Sequence, residues 1–447
     1  MNTPIYDFIY RYTSGNPYRF HMPGHKGSGL MGCESFDITE IKGADALYSA
    51  DGIIAQSQKN AAELFGSRAT LYSTEGSSLC IRAMLYLALN ARKDKKTRPV
   101  IAASRNSHKV FVLTCALLDI DIIWLYGNSG SAYSCELSAK DVSNVLSKNI
   151  KGLCGVYLTS PDYLGKFCDI KEISTVCHEK DIPLIVDNAH GAYLKFLSQD
   201  ILHPLDLGAD MCCDSAHKTL PVLTGGAYLH VSKSSIRDFE KGAMQALSVF
   251  ASTSPSYLTL CSLDLCNRYL CENKDAFDIA KEECQKLRHD LCQYGYEICS
   301  DEPLKITITP KSFGYTGFEL SEILRNNAIE PEFCDPDFTV LMISPKNTNE
   351  DFKHLEKVLC SVNKKPPISD KPPVFEKCNA VMSAKDALFS NSECISVHES
   401  IGRILAVPNV SCPPAVPFVV CGERINHDAV KGFEYYGINE VYVVSEQ

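Results

Sequence analysis

No apolar stretch in this sequence reaches the roughly 18 to 20 residues that a bilayer-spanning helix needs, so no membrane span is expected. Met1 to Tyr10 has neither the basic start nor the apolar centre of a secretory leader, so cytoplasmic residence is expected. Positive charge is in deficit. The net charge of −10 argues against nucleic acid or an anionic membrane as partner and suits a cytosolic enzyme with a cationic substrate. Paired Cys-x-x-Cys segments with zinc spacing are missing. The nearest cluster, Cys261 to Cys266, falls in a helix-like pattern, and no metal is expected. Internal repeats and low-complexity tracts are lacking too.

What is there is ordinary in bulk and specific in detail. The 447 residues, 45% hydrophobic and 22% charged, allow two or three domains with a large core. The 21 cysteines are scattered, many inside apolar runs such as 151–156, which reads as reduced structural thiols in place of a disulfide framework. Residues 1–50 read as an irregular arm holding the loop Phe20 to Gly27. From 51 to 245, strand-like runs (Ala69 to Ser73, Val100 to Ala103, Gly155 to Thr159, Leu184 to Asp187, Gly226 to His230) alternate with helical stretches such as Ser77 to Asn90. That alternation predicts an α/β domain with a mostly parallel sheet and helices on both faces. Residues 246–365 read as a smaller α+β domain, with one long helix over Leu258 to Tyr296, strands at Lys305 to Thr309 and Thr339 to Ser344, and a helix at Glu319 to Asn327. A proline-rich linker (364–373) leads into a short C-terminal module, 366–447.

Four strand-end motifs carry chemistry. Lys218 sits in a small polar turn, Asp214 to Pro221, after two cysteines that read as buried hydrophobes of a strand. Asp187 closes the apolar run Pro183 to Val186, and Lys218 follows 31 positions later (218 − 187), after one helix-sized segment and another strand. A lone lysine or aspartate in such a place is more often a surface residue or a helix cap. Together they have the makings of a pyridoxal phosphate site: the lysine as Schiff-base former, the carboxylate as partner of the pyridine nitrogen. Thr74-Glu75-Gly76-Ser77-Ser78 offers hydroxyls and free N–H groups at a helix start, a natural phosphate site. His108, just past a strand end, is placed to stack on an aromatic ring. The motifs run in the order phosphate turn, ring-stacking histidine, aspartate, lysine.

With these residues in view, the chain resembles the Orn/Lys/Arg decarboxylases, over nearly its whole length and in the short form without a wing domain. The segments that carry the resemblance are Phe20 to Lys26, Arg105 to Lys109, Ser215 to Thr219, Thr253 to Tyr257, Cys412 to Pro417 and Cys421 to Glu423. The resemblance implies the pyridoxal-phosphate transferase fold of type I and a homodimer whose active sites are shared across the interface. It implies that Lys218 carries the cofactor, Asp187 pairs with the pyridine nitrogen and His108 stacks on the ring. Ser77, Ser78, Ser215 and His217 would bind phosphate, His190 would lie near the ring edge, and Glu423 would read the distal cation of the substrate. The implied reaction is decarboxylation of lysine, arginine or ornithine to the amine and CO2. Departures stand at Asn188, where many members have glutamate, and at Gly225, Tyr48, Leu164 and Cys421. Several fall where substrate would be read. Two other readings therefore stay open: transamination or elimination on another amino acid with the same cofactor, and a non-catalytic regulatory homologue that binds the cofactor.

Overall fold

A computed structural model describes residues 1–127, 133–373, 377–408 and 414–446. Residues 411–413 of the C-terminal proline motif lie outside the described residues. The chain forms two compact units. The first comprises Met1–Lys93, Cys154–Val156 and Ile170–Ala276, the second Asp94–Leu153, Tyr157–Asp169 and Phe277–Gln447.

Seven strands make up the large sheet: β1 (Ala69–Ser73), β2 (Val100–Ser104), β3 (Asp121–Leu125), β4 (Leu153–Thr159), β5 (Leu184–Asp187), β6 (Met211–Asp214) and β7 (Ala227–Val231). Their order is β1-β7-β6-β5-β4-β2-β3, and β7 runs antiparallel to both its neighbours. β5 and β6 are parallel, with Asp187 opposite Cys213. The expected α/β architecture with a mostly parallel sheet is present. β5, β6 and β7 are buried along their whole length, as strands covered on both faces must be. Cys212 and Cys213 lie fully buried on β6, and every described cysteine is a free thiol. In the first unit Phe65, Tyr72 and Tyr228 are fully buried, with the rings of Phe65 and Tyr228 5.2 Å apart. Each such side chain contributes roughly 1.5–3 kcal/mol of burial free energy.

Three local readings are corrected. The arm over 1–50 is not irregular throughout: Pro4–Ser14 is a helix, with Pro4 at its first position and Ile5 and Ile9 buried one turn apart. Asp264 Oδ2 accepts from the backbone N–H of Ile5 and Tyr6 at 2.9 and 3.0 Å, satisfying donors that a helix start leaves open. The single long helix over 258–296 is two, Tyr257–Glu272 and Ala276–Tyr294, broken at Asn273. Between β5 and β6 only the 3-10 turn Ala192–Phe196 intervenes, where a helix-sized segment was expected.

The second unit adds two small antiparallel sheets. β8 (Lys305–Ile308), β9 (Phe333–Cys334) and β10 (Thr339–Met342) take the order β8-β10-β9. β11 (Ser392–Ser396), β12 (Leu405–Val407) and β13 (Glu440–Val444) take the order β11-β13-β12. A core of Leu405, Ile425, Phe433, Val441 and Val443 supports the latter. No helix among the described residues is long and apolar enough to cross a membrane.

Candidate active site

The first unit gathers seven of the nine residues singled out in the sequence: Ser77, Ser78, Asp187, His190, Ser215, His217 and Lys218. His108 and Glu423 belong to the second. β5 ends at Asp187 and β6 at Asp214, so two neighbouring parallel strands deliver their C-terminal ends side by side. In open α/β sheets ligands bind at such ends.

Asp187 is 3% exposed, and its Oδ1 accepts from the Ala189 N–H at 3.1 Å and the Cys213 thiol at 3.5 Å. These contacts fix the carboxylate's orientation. After β6, Ser215 precedes the one-turn helix Ala216–Thr219, which carries His217 and Lys218. Lys218 Nζ lies 2.9 Å from Nε2 of the buried His190, within hydrogen-bond distance.

Ser215 Oγ donates to Ser77 Oγ at 2.8 Å. Ser77 and Ser78 open the helix Gly76–Ala91, whose first N–H groups and positive dipole end favour an anion. Gly76 adopts φ +72°, and a Cβ there would meet nothing within 4 Å, so the turn leaves clear space beside the serines. Gly76 N–H donates to Gly225 O at 2.7 Å, tying the turn to the segment before β7. Gly225, one of the departures from the family pattern, has φ +94°, and a side chain there would press on Thr74 O. Glycine at 225 is thus a backbone requirement of this turn. His217 Nδ1 lies 3.0 Å from Gly226 O and donates to it, which leaves Nε2 able to donate to an anion only as imidazolium.

In the second unit His108 caps the helix Lys109–Leu117, its Nδ1 accepting from Val110 N–H at 3.1 Å. Glu423 is 2% exposed and pairs with Arg105 at 3.3 Å. Arg105 also donates to the carbonyls of Pro417 and Phe418, each at 2.7 Å, and lies over the Trp124 ring. Burial pushes the Glu423 carboxyl above its ordinary pKa, with Arg105 opposing.

Sequence reasoning missed a cluster in the first unit. Asp214 accepts from Asn188, His203 and His230, all four residues being fully buried. The one signal available was Asn188, conspicuous for departing from the family pattern.

Comparison with known proteins gives a consistent picture. A family model described as Orn/Lys/Arg decarboxylase, major domain, matches residues 3–291. A Bacillus subtilis protein named arginine decarboxylase is 28% identical over 465 residues, spanning 96% of this chain and 92% of its own length. An arginine decarboxylase of Halalkalibacterium halodurans is also 28% identical, over 95% of this chain and 91% of that one. Among solved structures, the Escherichia coli constitutive lysine decarboxylase superposes with TM-score 0.78 at 16% identity, over 99% of this chain and 82% of that chain. The Francisella novicida lysine decarboxylase gives 0.81 at 15%, over 99% and 81%. A Sphingomonas wittichii serine palmitoyltransferase gives 0.57 at 12%, over 76% and 81%. The likenesses in structure show the fold. The expectations of the type I transferase fold, of an enzyme and of pyridoxal phosphate as cofactor stand. With a family model covering more than half of its length, the chain belongs to the Orn/Lys/Arg decarboxylase family.

Proposed function

We propose that this protein decarboxylates a basic amino acid, lysine, arginine or ornithine, releasing CO2 and the corresponding amine. The observation that carries the reading is the 2.9 Å contact of Lys218 Nζ with His190 Nε2, on the strand end next to the one that presents buried Asp187. The donors present fit the cofactor. Two serine hydroxyls in contact at a helix start, with open space at Gly76, suit a phosphate, and a buried carboxylate suits a protonated ring nitrogen.

Bound pyridoxal phosphate supplies an electron sink for the charge left on the α-carbon as CO2 departs. In this reading Lys218 is the amine that would hold the cofactor. Asp187 keeps a proton on the pyridine nitrogen. Ser77, Ser78, Ser215 and His217 hold the phosphate, and His108 keeps the ring-stacking role that the resemblance implies. The Lys218–His190 pair would be the source of the proton that the α-carbon takes up once CO2 has left. Glu423 is the candidate for reading the distal cation, a duty its carboxylate would add to the ion pair it makes with Arg105. The four-part division of the chain, the homodimer and cytoplasmic residence belong to the same reading.

The test is the absorbance spectrum of the purified protein before and after adding lysine, arginine or ornithine singly, with amine release followed. A yellow band that shifts with one of them, with its amine appearing, is expected. A yellow band unmoved by all three would remove the basic-amino-acid assignment. A colourless protein that cannot be reconstituted would remove the roles given to Lys218 and Asp187.

A further inference from the structure

The buried cluster around Asp214 has no part in the chemistry just described, yet it touches both strand ends that carry it. Asn188 Nδ2 donates to Asp214 Oδ1 at 2.6 Å. His203 Nε2 and His230 Nε2 reach Asp214 Oδ2 at 3.0 and 3.1 Å. The tautomer of His203 follows from its other ring nitrogen, and a carboxylate that only accepts requires a proton on each Nε2 facing it. His203 Nδ1 accepts the Leu205 N–H, so its proton sits on Nε2. His230 Nδ1 contacts Thr70 Oγ1 at 2.8 Å, across the pairing of β1 with β7. Burial favours a neutral His230, holding its pKa below the ordinary value although Asp214 opposes this. Burial also works against an ionised Asp214, but the two imidazoles outweigh it and hold the carboxyl well below its ordinary range. Asp214 is thus a buried anion satisfied by three donors. Asp214, His203 and His230 are also close enough to one another to ligate a cation. Protons on the facing nitrogens and N···O separations of hydrogen-bond length make it a hydrogen-bonded cluster instead.

We propose that Asn188 is a positioning residue whose side-chain amide ties the end of β5 to the end of β6, and so fixes Asp187 relative to Lys218, with Asp214 as an anchor held by His203 and His230. This rests on the reading of Asp187 and Lys218 as the cofactor-holding pair. The backbone supports it: Asn188 N–H donates to Cys213 O at 3.0 Å, extending the ladder one residue past Asp187. Asn188 O accepts from Gly191 N–H at 2.8 Å, which sets the turn that presents His190. On the other strand, Lys218 N–H donates to Ser215 O at 3.0 Å, one residue past Asp214, so the short helix is anchored where the cluster ends. The residue at 188 must be a donor. A carboxylate there would face the Asp214 carboxylate, and one of the two would have to take up a proton.

The experiment is a double-mutant cycle of Asn188→Asp and Asp214→Asn in the full-length protein. It is read by pyridoxal phosphate retention, by the absorbance band of the loaded protein, and by urea unfolding of the cofactor-free protein. Each single variant should lose about tenfold in retention and shift the band. The double variant should recover most of both, because an amide at 214 can donate to a carboxylate at 188 while its oxygen accepts from the imidazoles. A folded N188D with unchanged retention and spectrum would overturn the proposal, as would a double variant that loses the sum of the two singles. If N188D does not fold, Asn188→Ser removes the donor without adding charge and is judged by the same readings. A wild-type protein that never takes up the cofactor would defeat the functional reading, while the cofactor-free unfolding cycle would still show whether Asn188 and Asp214 are coupled.

Discussion

Lys218 Nζ and His190 Nε2 stand 2.9 Å apart, joining two residues 28 positions apart in the chain. The imidazole therefore contacts the amine that the proposed reading assigns to the cofactor. Lys218→Ala should abolish turnover, by at least about 10³-fold, and the covalent yellow band with it. His190→Phe should keep the band and lower kcat by about 10²-fold, the scale of a positioned proton donor. Single-turnover absorbance separates the two, and a fully active Lys218→Ala protein would remove the assignment.

Asp264 gives a pH dependence of stability. Its carboxyl is buried, accepts from Ile5, Tyr6 and Ser57, and is pushed up to about 6 mainly by burial. The folded protein therefore holds this proton more tightly than the unfolded chain does. The resulting stability is present below about pH 4, where both states are protonated. It is lost as pH rises through 6, at a cost on the order of 2–3 kcal/mol by neutrality. Asp264→Asn should flatten this part of the profile. The measurement is urea unfolding between pH 4 and 8, with proteolysis within Pro4–Ser14 as a local probe.

How much of this was legible in the sequence depended on range. β1 and β5 carry the boundaries expected of them, because short apolar runs between turn residues leave little choice. Asp187 and Lys218 stood out since each closes or follows such a run. The helix Pro4–Ser14 was hidden because its apolar face is narrow, Ile5 and Ile9, and its anchor is Asp264, some 259 positions away. The break at Asn273 was hidden because helical periodicity resumes at once on the other side. His203 was unreadable: it lies outside any regular element, and its meaning comes from Asp214. Asn188 could be seen as a departure, but its donor role needed the neighbouring strand.

Glu423 and Arg105 form a buried pair whose two possible duties can be separated. Glu423→Gln leaves the Arg105 guanidinium without its carboxylate, still bound to Pro417 O and Phe418 O. The expected cost is about 2 kcal/mol, seen as a lower unfolding midpoint. The same variant assayed for KM tests the substrate role. A tenfold rise in KM for one basic amino acid, with kcat kept, is expected if the carboxylate also reads the distal cation.

Gly191 tests the Asn188 anchor from its other side. Its backbone needs no positive φ, so conformational strain does not demand glycine here. Space does: a methyl at 191 would collide with Asn188 Oδ1 and with the Leu194 side chain. Asn188 cannot yield, since Nδ2 is held by Asp214 and its backbone by Cys213. Gly191→Ala should therefore cost about 1–3 kcal/mol as overpacking. It should also loosen the cofactor, because the residue displaced is the one next to Asp187. Pairing it with Asn188→Ser, which clears the clash, should recover part of the stability but not the cofactor retention. Thermal unfolding and cofactor release on the same samples give both quantities, and a Gly191→Ala protein as stable as wild type would mean that Asn188 is not held in place.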